Sequence, residues 1–285
     1  MLTQTAYTGS LRQPLSQPLP GAQDVALYWL GQAGFAVKYQ ERLTFIDPYL
    51  SDFLAKKYAG KLFPHTRMTA APILPTEVRN LDLLLCTHGH SDHLDPETVP
   101  VLASHNSNCT VIVPEAAKER WGKLDLPPHQ VHPINAGQQF SPSAGICVEA
   151  VPAAHEDLQV NAQGEHLFLG YILKLGDITL YHSGDCVPYP GLAEALNTHA
   201  VDLALLPVNG RDEYRQSHGV PGNFTLTEAV DLCMQANIPY LLGHHFGMFD
   251  FNTITIEHAQ AELQSLRENK LYSLVEAGTC YLLSP

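Results

Sequence analysis

The sequence predicts an α/β protein in which two sheets pack face to face with helices outside, a four-layer αββα sandwich. Three observations lead there. The chain has 285 residues, 45% of them hydrophobic, which is enough for a well-buried core. Strands rich in β-branched and aromatic residues come first, and strands alternating with helices follow. This order occurs once in each half of the chain, so two sheets are expected rather than one. Periodicity by itself leaves a three-layer α/β sheet open.

The elements follow in order. Residues 1–24 are rich in Pro, Gln and Ser and are expected to form an extended arm, with one domain over 25–285. "VALYWLG", "AGFAVKY" and "RLTFIDPY" read as a strand meander punctuated by Gly and Pro. "LDLLLCTH" reads as a buried strand, and "LDPETVPVLASH" as a helix with Asp95 as N-cap and Pro96 at its first position. "CTVIVPE" and "PEAAKERWGKL" repeat strand then helix. The second half offers strands "ICVEAVPAAH", "LFLGYILKL" and "DITLYHSGD", helix "PGLAEALNTH" and strand "VDLALLPV". It continues with helix "TLTEAVDLCMQAN", where Thr225 and Glu228 have capping-box spacing, strand "IPYLLGHH", helix "TIEHAQAELQSLREN" and strand "YSLVEAGTCYLL".

Charge and composition narrow the function. Lys plus Arg is 16 and Asp plus Glu is 29, a net charge of −13, which argues against general nucleic-acid binding because phosphate neutralisation needs a basic face. The six cysteines are scattered without a CxxC pair and read as small buried hydrophobes in a reducing compartment. The start lacks a basic, then apolar, leader pattern, and no stretch is apolar for long enough to span a bilayer. A cytoplasmic protein with no membrane partner is expected; a homo-oligomer stays open.

The most informative stretch is "THGHSDHLDP", in which His88, His90, Asp92 and His93 crowd the end of an apolar strand. In extended backbone, residues i and i+2 point the same way, so His88 and His90 can address one point, while Asp92 and His93 lie on the turn and address another. Two neighbouring cations could use all four. Three further apolar strands end in a ligand type: His155 in "VEAVPAAHED", Asp185 in "TLYHSGDC", and His244 with His245 in "YLLGHHFGMFD". Functional groups of α/β proteins gather beyond the carboxyl ends of strands.

With these residues the chain resembles the metallo-β-lactamase superfamily. "WLGQAGF", "FIDPYLS", "THGHSDHLDP", "LYHSGD" and "HFGMF" look like its branch containing L-ascorbate-6-phosphate lactonase and N-acyl phosphatidylethanolamine phospholipase D. The resemblance implies one metal held by His88, His90 and His155, a second held by Asp92, His93 and a late histidine, and Asp185 bridging both. Register on the family's His-aromatic-Gly-x-Phe pattern selects His245, leaving His244 beside the ligands or facing substrate. His182 is expected to hydrogen-bond behind a ligand, Asp47 to serve as a buried anchor, and Cys186 to be a packed thiol.

Such a set implies a hydrolase using a metal-bound hydroxide, with Asp92 and Asp185 as the catalytic carboxylates. Imidazole and carboxylate without thiolate suit two divalent ions, Zn²⁺, Mn²⁺ or Fe²⁺, with Mn²⁺ favoured by the lactonase resemblance. No G-x-S-x-G nucleophile elbow competes with this reading. The expected substrate is a small sugar lactone or phosphorylated lactone, with Arg211 in the polar loop 209–224 as the phosphate anchor. A phosphodiesterase and a non-catalytic metal-binding module are the alternatives.

Overall fold

The structure, a computed structural model, describes residues 1–266 and 271–285. The chain divides into two compact units: Met1–Ile134 with Gly247–Phe251 and Glu276–Pro285, and Asn135–Phe246 with Asn252–Val275. The sequence reading placed everything after residue 24 in one domain.

The first unit carries an eight-stranded sheet. Its strands are β1 Leu2–Ala6, β2 Val25–Gly31, β3 Gly34–Tyr39, β4 Arg42–Ile46, β5 Leu83–Leu85, β6 Thr110–Pro114, β7 Val131–Ile134 and, from the end of the chain, β15 Thr279–Leu283. Their order is β1-β15-β2-β3-β4-β5-β6-β7. The meander β2-β3-β4 is antiparallel, and β4 to β7 are parallel. Strands β2 and β3 are almost wholly buried, as their continuous apolar runs require. Residues 2–6, expected in an arm outside the core, form an edge strand against β15 with only Leu2 buried.

The second unit carries a seven-stranded sheet: β8 Gln139–Ser143, β9 Ile146–Pro152, β10 Leu169–Leu175, β11 Ile178–His182, β12 Leu203–Pro207, β13 Tyr240–His244 and β14 Leu271–Leu274. Their order is the reverse of the sequence, β14 to β8. Strands β8 to β11 are antiparallel and β11 to β14 parallel. The helix Leu226–Gln235 opens with the expected capping box, Thr225 Oγ1 accepting from Glu228 N and Glu228 accepting from Thr225 N. The helix Ile256–Leu266 falls within the expected segment; residues 267–269 of that expectation lie outside the described residues.

Two expectations change at element ends. The helix after the histidine turn runs Val99–His105, with Thr98 and not Asp95 at its N-cap. Asp95 is engaged elsewhere: it accepts from Thr98 Oγ1, Glu97 N and Ser51 Oγ, which fixes the turn before the helix. "YSLVEAGTCYLL" is two strands, β14 and β15, in different sheets, with Gly278 at φ 76° in the turn that separates them.

Register explains where the chemistry collects. In the first sheet Ile46 pairs with Leu85 across parallel strands, so Asp47 and Thr87 leave the same edge together. Strand β2 runs in the same sense as β4, which puts Gln32 at that edge too. In the second sheet β9, β11, β12 and β13 share one direction, so His155, Asp185, Asn209 and His245 all follow carboxyl ends.

Candidate metal centre

In the first unit the turn 88–93 brings the expected ligands together. One ligand atom of His88 lies within 4.8 Å of one from His90 and of one from His93, and Asp92 and His93 approach equally closely. The rings of His88 and His93 are 4.0 Å apart between centroids. His88 and His93 are buried, and His90 and Asp92 are half-buried.

The hydrogen bonds behind these rings decide their tautomers. His93 Nδ1 is 2.7 Å from Asp47 Oδ2. An ionised carboxylate only accepts, so Nδ1 carries the proton and Nε2 keeps the lone pair. Thr87 Oγ1 donates to Asp47 Oδ2 at 2.6 Å, and its own oxygen accepts from His88 Nδ1 at 3.1 Å, so His88 also keeps its lone pair on Nε2. Thr87 N completes the clamp on Asp47 Oδ1 at 2.8 Å. Asp47 is fully buried and sits in the left-handed region at φ 44°, an uncommon conformation that collects at functional sites. On the other side of the turn Gln32 Nε2 donates to Asp92 Oδ2 at 3.0 Å.

In the second unit, the carboxylate of Asp185 faces two histidines. Its Oδ2 is 3.6 Å from His155 Nε2 and its Oδ1 is 3.1 Å from His245 Nε2. His155 Nδ1 donates to the carbonyl of Gly222 at 3.1 Å, again leaving the lone pair on Nε2. His245 sits at φ 68°, left-handed, one residue beyond β13. His244 points elsewhere, stacking on His182 with centroids 5.2 Å apart. Burial first, and then the rings of His182 and His245, hold His244 well below the usual imidazole range, so it is neutral. Gly184 N donates to His182 Nδ1 at 3.0 Å. Burial pushes the Cys186 thiol up to about 12, and its sulfur sits between Ala154 N and Val187 O as a packed thiol.

Arg211 departs from its expected part. Its Nη1 and Nη2 hold Glu228 bidentately at 2.7 and 2.6 Å, and Nη1 also reaches Asn223 O at 3.0 Å. Its side chain lies against Gly222, where a Cβ would come within 2.3 Å of Arg211 Cβ. A phosphate at this guanidinium would have to displace a carboxylate already in fork geometry. Gln32, Thr87 and Gly222 escaped the sequence reading; Gln32 directly follows β2 and Thr87 lies two residues beyond β5, the only signal they give.

The donor set fits divalent metal ions. Each unit supplies imidazoles and a carboxylate, and His88, His93 and His155 each have Nδ1 on a protein oxygen, as metal-ligating histidines do.

Comparison with known proteins places this arrangement. The β-lactamase superfamily domain matches residues 43–246. Among solved structures, the isothiocyanate hydrolase from Delia radicum gut bacteria superposes with a TM-score of 0.68 at 17% identity, covering 89% of this chain and 97% of that one. Igni18, a metallo hydrolase from Ignicoccus hospitalis, gives 0.64 at 16% identity, covering 92% and 99%. At such identities the likeness is one of fold, and the fold is that of the metallo-β-lactamases: two mixed sheets with helices, as the sequence predicts. A UPF0173 metal-dependent hydrolase from Polynucleobacter asymbioticus is 31% identical over 225 residues, which is 74% of this chain and 72% of the relative. The chain belongs to this UPF0173 family of metal-dependent hydrolases within the metallo-β-lactamase superfamily.

Proposed function

We propose that the protein hydrolyses a small sugar lactone or phosphorylated lactone with the help of two divalent ions, Mn²⁺ or Zn²⁺, with Fe²⁺ a further candidate. His88, His90 and His155 would hold one ion, Asp92, His93 and His245 the other, and Asp185 would serve both. The observation that carries the metal assignment is the tautomer set: three ring Nδ1 atoms are tied to Thr87, Asp47 and Gly222, so three Nε2 lone pairs are fixed in direction before any ion arrives. Asp185, with each oxygen facing a different histidine, supports a shared role.

When bound, two such ions activate a water and stabilise the charge that develops on the substrate oxygen. The chain's own residues do the rest. Asp92, steadied by Gln32, accepts the proton that the attacking water gives up. Asp47 and Thr87 keep His93 and His88 from rotating, and Gly222 does so for His155. Arg211 is a positioning residue here: it ties the loop 209–224 to Glu228 and packs on Gly222, the partner of His155. The lactone part of the proposal is supported by the resemblance of the strand-end motifs.

The test is a hydrolysis screen of metal-loaded protein over plain and phosphorylated lactones and phosphodiesters. Lactone turnover that stops on chelation and returns with metal is expected. Turnover of phosphodiesters alone would replace the substrate, and full metal content without any turnover would make the protein a binding module.

A further inference from the structure

An anionic substrate needs a cation that holds its charge away from the reacting carbonyl, and Arg211 is taken by Glu228. Two other cations stand on the ligand turn itself. Arg120, in the helix Lys118–Trp121, reaches Gly89, the residue between His88 and His90: Nη1 donates to Gly89 O at 2.6 Å. The glycine is what admits it, since a Cβ there would lie 2.6 Å from Arg120 Cδ. Lys57, the last residue of the helix Phe53–Lys57, reaches Ser91, between His90 and Asp92, with Nζ 3.3 Å from Oγ. The same Nζ lies 5.1 Å from the centroid of the Tyr58 ring, which holds the charge over an aromatic face rather than an acid.

Gly89 and Ser91 are at most about 7 Å apart along the backbone, so both charges address one short stretch. Arg42, Lys56, Arg211 and Arg215 each hold a carboxylate, and what sets Arg120 and Lys57 apart from the other cations is their place on the ligand turn, at Gly89 O and Ser91 Oγ. Both side chains are exposed, so in a chain of net charge −13 they present positive charge to solvent on the two inner residues of one ligand turn. Clamping the turn uses one guanidinium donor; the remaining donors of Arg120 form a fork suited to a planar or tetrahedral oxyanion.

We infer that Arg120 and Lys57 form the anion-recognition site for the non-reacting group of the substrate, a phosphate or a carboxylate. This rests on the hydrolase reading above and moves the anchor from the loop 209–224 to the turn 88–93. Substrates of this enzyme are therefore acids or phosphate monoesters bearing a separate hydrolysable bond. Neutral lactones of the same size bind more weakly.

The experiment is calorimetric titration of metal-loaded protein with glycerol 3-phosphate and with glycerate, with metal content and thermal midpoint measured for every variant. Arg120→Ala and Lys57→Ala should each weaken the preferred probe about tenfold, the scale of one charge-assisted contact, and the double variant by about a hundredfold. Arg120→Lys should recover only part, since lysine is a point charge without the fork. Where Arg120→Ala loosens the turn, Arg120→Gln keeps a donor for Gly89 O and removes the charge. The stronger of the two probes identifies the anion. Unchanged affinity for both probes in the double variant, meaning that they sit on the ions, or no binding by the wild type at about 10 mM, overturns the inference. Failure of the hydrolase reading shows separately, as full metal content without turnover in the screen, and leaves the titration result standing.

Discussion

Asp47→Asn probes the histidine clamp with the smallest change in shape. Asparagine tolerates the left-handed backbone at φ 44° as aspartate does, so the substitution leaves the chain path alone. Three donors converge on the native carboxylate: His93 Nδ1 at 2.7 Å, Thr87 Oγ1 at 2.6 Å and Thr87 N at 2.8 Å. An amide has one accepting oxygen and one donating nitrogen, so some donor must face a donor. If the nitrogen takes the Oδ2 place, His93 has to accept at Nδ1, and the proton moves to Nε2, where it blocks ligation. If it takes the Oδ1 place, the buried Thr87 N–H loses its partner at a cost of about 1–3 kcal/mol. Either outcome should weaken metal binding about 10- to 100-fold, about 1.4–2.8 kcal/mol. Competition against a chelator of known affinity reads this directly, and circular dichroism of the metal-free protein checks the fold. A folded variant with affinity within about twofold of wild type would refute the assignment of His93 as a ligand held by Asp47.

Three further outcomes are expected. His245→Ala should lose one ion and most activity, while His244→Ala keeps its metal and instead loses about 1–3 kcal/mol of stability from the core; the opposite pattern would mean that His244 is the ligand. Burial alone would raise the Glu228 carboxyl, but Arg211 and the Thr225 cap hold it below the usual range, so its stabilisation is present at neutral pH and fades as pH falls through the carboxylate range. Glu228→Gln should lower the midpoint of thermal unfolding by a few degrees at pH 7 and flatten that acid dependence; equal losses at pH 7 and pH 3 would contradict the pairing. Chelation should lower the thermal midpoint of the wild type, because ions that bind only the folded chain stabilise it by mass action, and an unmoved midpoint would count against tight binding.

The ligand candidates were legible because each follows an apolar strand, and a strand end is visible in a sequence. Their supporting partners were not. The contact of Asp47 with His93 spans 46 positions and exists because Ile46 and Leu85 are in parallel register, which no local pattern encodes. Arg211 is the nearest cation to a strand end in its loop, and its partner in the structure is Glu228, a residue the sequence shows only as the third position of a helix cap. Strand β1 has the burial pattern of a single inward residue followed by four exposed ones, so it has no alternation to read. The helix after the ligand turn begins later than its Asp-Pro signal because the Asp95 carboxylate is spent on Ser51, Glu97 and Thr98.

The central claim, one ligand set for a pair of divalent ions, is tested most directly by counting metal. Protein stripped with chelator, reloaded separately with Mn²⁺ and Zn²⁺ and freed of excess ion should contain about two ions per chain by elemental analysis for at least one metal, falling to about one in Asp185→Asn. A wild-type chain that retains no ion under either condition would contradict the account as a whole, and a value of about one that Asp185→Asn leaves unchanged would contradict the shared role of that carboxylate.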